Sequence, residues 1–250
     1  RFMDRINCLV IGAGAIGLAI AGKLSSSFKD VLVVEKESVF GSHSSSRNNE
    51  VIHASLYHHP ESPQAILCSA GRELIYDFCK KYHVNFKQVG KLIVATEERY
   101  VPWLKSVNEN ANLNNVPGLE MISGTKANEI ETNLQCEAAL ISPRSGIIDT
   151  HQLMQAYIGI GEANGVSISY KTEVRSVIPI SNGFRVNFKT DDNQIIQLEC
   201  DILINSGGLW ADDIANKIQG FPKELIPKVH FAWGAFYTYK GKAPFKHLIV

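Results

Sequence analysis

The 250-residue chain predicts an α/β fold, a Rossmann-like domain that carries an antiparallel meander and is interrupted by an inserted α+β domain. Three observations carry this expectation. A buried strand runs straight into a glycine turn and a helix at the start of the chain, turn-punctuated strands recur after residue 166, and a second apolar strand ends in a glycine pair at Gly207-Gly208.

The first strand is the apolar run Cys8-Leu9-Val10-Ile11, the composition of a parallel strand covered on both faces. Gly12, Gly14 and Gly17 then spell G-x-G-x-x-G. The first allows a tight turn, the second lets backbone approach a pyrophosphate, and the third lets the next helix pack closely on the strand. Ala15 and Ile16 fill the variable positions where the free amides and positive dipole end of that helix would face a phosphate. Ile16, Ile20 and Leu24 recur four apart and predict its apolar stripe, flanked by Leu18 and Ala21. A second strand, Val31 to Val34, ends in Glu35, close to where the motif places a carboxylate for a ribose hydroxyl, and Lys36 follows. A glycine triplet alone also marks plain turns. Strand, turn, helix, strand and acid in this order make a bound dinucleotide the better reading.

Composition narrows the alternatives. With 45% hydrophobic residues the chain can bury one large or two modest cores. Its 25 basic and 25 acidic residues cancel, so no electrostatic footprint favours nucleic acid or an anionic membrane surface. The five cysteines are odd in number and form no C-x-x-C, which points to reduced thiols and leaves no zinc site. A reducing compartment, the cytoplasm, fits this usage, with the mitochondrion the alternative if a leader has been removed ahead of Arg1. No apolar run reaches the length of a membrane span, and peripheral membrane association stays open.

Beyond Glu35 the chain departs from a plain nicotinamide unit. His43 to Ala54 crowds Ser44, Ser45, Ser46, Asn48 and Asn49 around Arg47 and ends at His53. Hydroxyls, amides and one guanidinium suit a phosphate or a polar ring system, and they equally compose a solvated Ser/Asn loop. His58-His59 is no metal pair, because adjacent histidines diverge and no further ligand has helical spacing to them.

These residues carry a family resemblance. Gly12 to Gly17, Glu35, Ser45-Ser46-Arg47-Asn48, Val51 to Ala54 and Gly90 to Thr96 resemble the FAD-dependent L-2-hydroxyglutarate dehydrogenase branch of the D-amino-acid-oxidase-like flavoproteins, with departures at Asn49, Ser55 and His58. The resemblance implies FAD as cofactor, held by the glycine turn, Glu35, Lys36 and Ser45 to Asn48. It implies a small hydroxy-acid substrate and a separate electron acceptor. Arg47 suits a carboxylate or a reduced-flavin anion, and His53 is the better proton acceptor because an unperturbed histidine titrates at about 6.5. His53 could equally serve as a hydrogen-bond partner of the flavin or of nearby backbone.

The remaining elements follow in order. Pro63 to Lys81 predicts a helix with an apolar stripe of Ile66, Leu67, Ala70, Leu74 and Phe78. Lys91 to Thr96 predicts a strand, Pro102 to Asn112 a helix with Leu104, Val107 and Ala111 inward, Ala127 to Glu131 a short helix, and Ala138 to Ser142 a strand. Gly146 to Asp149 leads into a helix over Gln152 to Ala163, closed by Asn164-Gly165. Ser167 to Tyr170, Val174 to Ile180, Phe184 to Thr190 and Ile195 to Leu198 predict the meander, where resemblance gives the Val174 backbone a contact with adenine. Asp201 to Asn205 is a second buried strand, and Ser206, Gly207 and Gly208 repeat the first motif's opportunity for backbone to approach a ligand. An ordinary helix-entry turn has the same composition. Phe231 to Tyr239 and His247 to Val250 read as further strands.

The expected organisation is an FAD-binding domain over 1–85 and 147–222 and a substrate domain over 86–146 and 223–250. By resemblance the latter is incomplete, a further segment being needed to finish it. The functional expectation is an FAD-dependent oxidation of the CH-OH group of a 2-hydroxy acid. Alternatives are an amino-acid or sarcosine-type oxidase and a catalytically silent flavin-binding fragment.

Overall fold

The computed structural model describes residues 4–250. In chain order the elements are β1 (Arg5–Ile11), α1 (Ala15–Leu24), β2 (Val31–Val34), β3 (Val51–Ile52), α2 (Pro63–Tyr82), β4 (Phe86–Lys87), β5 (Lys91–Ala95) and α3 (Val101–Leu113). They continue through β6 (Glu120–Ser123), α4 (Gly124–Ile130), β7 (Ala138–Ser142), β8 (Gly146–Ile148), α5 (Thr150–Ala163) and β9 (Ser167–Ser169). The last are β10 (Glu173–Ile180), β11 (Gly183–Lys189), β12 (Ile195–Asn205), α6 (Ala211–Asn216) and β13 (Leu248–Ile249). The chain folds as two compact units, one holding the described residues up to Asn48 with Thr150–Gly234, the other Asn49–Asp149 with Ala235–Val250.

The first unit is built on a six-stranded sheet in the order β10-β11-β12-β1-β2-β9. β12, β1, β2 and β9 run parallel, while β10 and β11 add an antiparallel edge. β1 is buried on both sides because its side chains alternate between two cores. Cys8 and Val10 pack with Leu18, Ala21, Val33 and Met154, whereas Leu9 and Ile11 pack with Val177, Val186, Phe188 and Ile214. The period of two explains why an unbroken apolar run was needed there.

Two expectations for this unit change. α1 buries Gly17, Leu18 and Ala21 rather than a stripe of Ile16, Ile20 and Leu24, and Ile16 is 69% exposed. The cause is Gly17: an added Cβ would run into the Gly12 carbonyl and stand 2.6 Å from Ser206 Oγ, so the face that carries it lies against the turn. The two segments Ile195 to Leu198 and Asp201 to Asn205 are one strand. β12 pairs antiparallel with β11 through Ile195 to Cys200 and parallel with β1 from Glu199 onward, so a single backbone passes from meander to parallel sheet without a turn.

The second unit holds a four-stranded sheet, β13-β5-β7-β6, and a three-stranded one, β3-β8-β4. Leu104, Val107 and Ala111 of α3 face Ile93, Ala95 and Leu140 as their spacing predicts. α2 starts where Ser62 Oγ accepts from Ala65 N at 3.2 Å and Pro63 occupies the first turn, and it stops at His83, whose φ of 57° is left-handed. Its buried face differs from the expected one. Ala65, Arg72, Tyr76 and Cys79 are buried, and Ile66, Leu67 and Leu74 are exposed. Arg72 goes inside because its guanidinium donates to Ala54 O at 3.3 Å and to Glu73 Oε1 at 2.9 Å.

The same bonds move the expected domain break from 85/86 to Asn48/Asn49. Tyr76 donates to Arg144 O, Asn110 to Leu56 O and Asn114 to Ser55 O, which ties residues 49–85 to the unit containing β5 and β7. β8 pairs with β3 and β4, so 147–149 stay with that unit as well. The expected strand over Phe231 to Tyr239 is irregular backbone. Its aromatics find no strand partner among the described residues, and Trp233 and Tyr237 lie almost fully exposed. Within His247 to Val250 only Leu248–Ile249 form a strand, β13, parallel to β5.

Candidate functional site

The parallel strands of the first unit bring their carboxyl ends to one edge. Gly12 N donates to Val34 O at 2.8 Å and Ser206 N to Ile11 O at 2.9 Å, so the turns after β1, β2 and β12 are laced together by backbone. Gly12 has φ of +102°, open to glycine at little cost, and a Cβ there would stand 2.5 Å from Ser206 O. Ser206 closes the arrangement by donating its hydroxyl to Ile11 O at 2.7 Å.

Above this edge lies a cavity of about 370 Å³, lined entirely by residues of the first unit. Gly12, Gly14, Ile16, Glu35, Lys36, Ser45, Val174, Ser206, Gly207 and Gly208, all expected at a cofactor site, line it. Glu35 is held in place by backbone. One carboxylate oxygen accepts from Ala13 N at 2.8 Å and the other from Glu37 N at 2.9 Å, which leaves further lone pairs on each oxygen for hydroxyl donors. Ser45 Oγ accepts from Ala15 N at 3.0 Å, so a loop 30 residues downstream caps the start of α1 and keeps its own proton for another acceptor.

The other expected cofactor residues support the cavity without lining it. Gly17 sets the packing of α1, and Ala15 contributes the amide just described. Ser46 Oγ donates to Gly41 O at 2.5 Å, and Asn48 Nδ2 donates to Ser44 O and Ser45 O at 3.2 and 3.0 Å. Arg47 reaches Ser42 O at 3.4 Å through Nε and is otherwise exposed. These side chains shape the loop that delivers Ser45. Val174, whose backbone is expected to meet adenine, lines the cavity, and its carbonyl accepts from Lys217 Nζ at 3.0 Å.

Beside the expected Lys36, the cavity is lined by residues that no motif marks, Trp210 first among them. Lys36 Nζ sits 3.1 Å from the Trp210 ring centroid, and the His43 ring meets the same indole edge-on at 4.4 Å while its Nε2 lies 2.9 Å from Glu37 Oε1. Thr172, Asp213 and Lys217 also line the cavity. The only local signal was Trp210's place just after the glycine pair. The other contacts join segments far apart in sequence.

His53 belongs to the second unit. It is exposed, and partial desolvation, then the Lys91 charge, then His58 hold it below the ordinary histidine range. It is therefore neutral at neutral pH, the form that can accept a proton. All five cysteines are free thiols, and burial pushes Cys79 and Cys200 up to about 11. Among the described residues no helix is long and apolar enough to cross a membrane.

The residues present fit a flavin dinucleotide. Gly12 and Gly14 bring the turn's backbone close to Ser206 and Ser45, Gly208 would direct an added Cβ into open space, a carboxylate stands at the end of β2, and Lys36 adds a positive charge to the lining. Comparison with known proteins agrees with this chemistry. Residues 7–241 match the family DAO, described as FAD dependent oxidoreductase. The L-2-hydroxyglutarate dehydrogenase, mitochondrial, of Arabidopsis thaliana is 34% identical over 96% of this chain and 56% of its own length. The protein of the same name from Nematostella vectensis is 32% identical over 86% of the chain and 49% of its length. The chain thus spans about half the length of these curated relatives. Among solved structures, the dithionite-reduced, FAD-bound L-alpha-glycerophosphate oxidase of Mycoplasma pneumoniae has a TM-score of 0.80 at 24% identity, covering 87% of this chain and 58% of that one, a likeness of fold.

Proposed function

The chain belongs to the DAO family of FAD dependent oxidoreductases, and from that membership we propose that it binds FAD in the cavity of the first unit and takes part in oxidising the CH-OH group of a small 2-hydroxy acid of the L-2-hydroxyglutarate kind. The observation that carries the cofactor half is Glu35: a carboxylate at the end of β2, held by two backbone amides beside the glycine turn, is placed to accept from ribose hydroxyls. The substrate half is supported by the relatives' names and their similarity over nearly the whole chain. Bound FAD supplies the acceptor for the hydride that leaves the substrate carbon.

The protein's own residues then have defined tasks. Gly12, Gly14 and the start of α1 receive the pyrophosphate, and Ser206, Gly207 and Gly208 let backbone approach the cofactor from the β12 side. His53, neutral at working pH, takes the hydroxyl proton. Arg47, with most of its guanidinium free of protein acceptors among the described residues, offers positive charge to a carboxylate or to the reduced cofactor. The electron acceptor that restores the cofactor is a separate species. The word mitochondrial in the relatives' names favours the mitochondrion over the cytoplasm as its location.

Anaerobic mixing tests the reading. L-2-hydroxyglutarate should bleach the flavin absorbance of the FAD-loaded protein, while alanine, proline and sarcosine leave it unchanged. Bleaching by an amino acid alone, or by none of these, would overturn the substrate assignment.

A further inference from the structure

Lys91 opens β5 between β7 and β13, a position where the strand's next two residues, Leu92 and Ile93, are wholly buried. Its own exposure is only 3%, yet among the described residues no carboxylate, carbonyl or hydroxyl oxygen accepts from its Nζ. The one ring it faces, Tyr57, has its centroid 5.8 Å away, at the outer limit of a cation–π contact. Burial pushes the Lys91 ammonium's affinity for its proton down, and the nearby Cys68 opposes this only in part. Lys91 in turn lowers His53, which sets the two groups within electrostatic reach inside one unit. Among the described residues the only fully sealed side-chain nitrogen or oxygen without a partner is Arg144 Nε. The equally unpartnered Lys91 Nζ therefore keeps access to solvent.

A cation that has given up most of its water and gained no anion is stabilised by any acceptor that can reach it. An apolar side chain in the same strand position would carry no such cost. The groups that interact with Lys91 are the exposed Tyr57, the exposed, neutral His53 and Cys68, and no carboxylate is among them.

We propose that Lys91 is the carboxylate-binding residue of the second unit, holding one carboxylate of the hydroxy acid beside His53. This rests on the hydroxy-acid reading given above, and it makes small carboxylates the ligand class. Holding the acid by its carboxylate would bring its CH-OH group into the neighbourhood of a neutral proton acceptor. Lys91 is a positioning residue in this account, since the proton goes to His53.

Binding without turnover tests it. Glutarate, a dicarboxylate with no CH-OH group to oxidise, is titrated calorimetrically into the FAD-loaded full chain, with 1,5-pentanediol as the neutral comparator. The wild type should bind glutarate and not the diol. Lys91→Met and Lys91→Gln should each weaken glutarate binding by about 10- to 100-fold, and Lys91→Arg should retain part of it. Unchanged flavin content and circular dichroism in Met and Gln variants separate this from misfolding. Glutarate affinity within twofold of wild type in either well-folded variant would overturn the proposal, as would a wild type that binds no carboxylate. Lys91-dependent glutarate binding in a protein whose flavin no hydroxy acid reduces would uphold the subsite and remove the substrate reading instead.

Discussion

Around Gly12 the cavity is built on backbone and short side chains that the protein engages with one another: Ala13 N with Glu35, Ala15 N with Ser45, Ser206 Oγ with Ile11 O. Around Lys91 the partner is a ring, Tyr57, and among the described residues the cation has no oxygen acceptor. The second unit also contains the opposite case. Glu131 is 3% exposed, as buried as Lys91, but it accepts from Lys246 N and His247 N at 2.8 Å each and from the His247 ring at 2.6 Å. Burial pushes its carboxyl up, and the His247 and Lys246 bonds together outweigh that, so the net shift is downward. A charge partnered in this way fastens the segment that becomes β13. An unsaturated one has bonding capacity left for a ligand.

The largest expected effect tests the backbone-built region. Gly17→Ala puts a methyl into the Gly12 carbonyl and against Ser206 Oγ, so the start of α1 has to shift, at a cost toward the upper end of about 1–3 kcal/mol. The variant should lose its flavin on gel filtration and unfold at lower temperature. Full flavin retention would show that the close approach is not needed.

His53→Ala tests the side-chain-built region. With FAD still bound, kcat should fall by roughly 100-fold. The sign of the pH dependence follows from the lowered histidine: it stays neutral to lower pH than an ordinary one, so activity should persist below about 6.5 and fall only as pH drops through the depressed value. That limb should vanish in the variant. A near-normal kcat would leave His53 a hydrogen-bonding role alone.

Glu35→Ala removes the carboxylate proposed to accept from ribose and also strands the Ala13 and Glu37 amides. Affinity for FAD should fall by about 10- to 100-fold, read by fluorescence titration of the apoprotein. An unchanged dissociation constant would move the adenosine away from β2.

The smallest effects have opposite signs and sharpen the contrast between the two buried charges. Glu131→Gln should lower stability by about 1 kcal/mol, because charge-assisted bonds become neutral ones. Lys91→Met should raise it by about 1 kcal/mol, because an unpartnered buried cation is replaced by an apolar side chain. The Glu131 contribution is present above the ordinary carboxylate range and is lost as pH falls through its depressed value, so the Gln variant should lack that part of the acid sensitivity. Thermal melts across pH measure both. Equal signs would mean that Lys91, too, has a structural partner.

Local pattern and long-range pairing divide the legibility of this chain. β1, its glycine turn, α1, β2 and Glu35 could be read directly, since each is specified within a few residues by apolar runs, backbone clearance and a terminal carboxylate. The buried face of α1 could not be read from apolar spacing, because Gly17's approach to Gly12 and Ser206 decides which side goes down. The division of β12 at Glu199-Cys200 looked reasonable in one dimension. Only the arrival of β1 beside the meander makes a single strand of both halves.

The amino-acid sequence by itself determined that a strand, a glycine turn and a helix would form a nucleotide-sized approach with an acid at the end of the next strand, because those features depend on neighbours within about 30 residues. Tertiary structure alone decided that Ser45 caps α1, that Lys36 lies over Trp210, that residues 49–85 join the second unit, and that Lys91 is buried with no anion beside it among the described residues. Each of these depends on residues brought together from distant parts of the chain, and whether a buried charge is satisfied is a property of that assembled environment, which no local pattern of residues encodes.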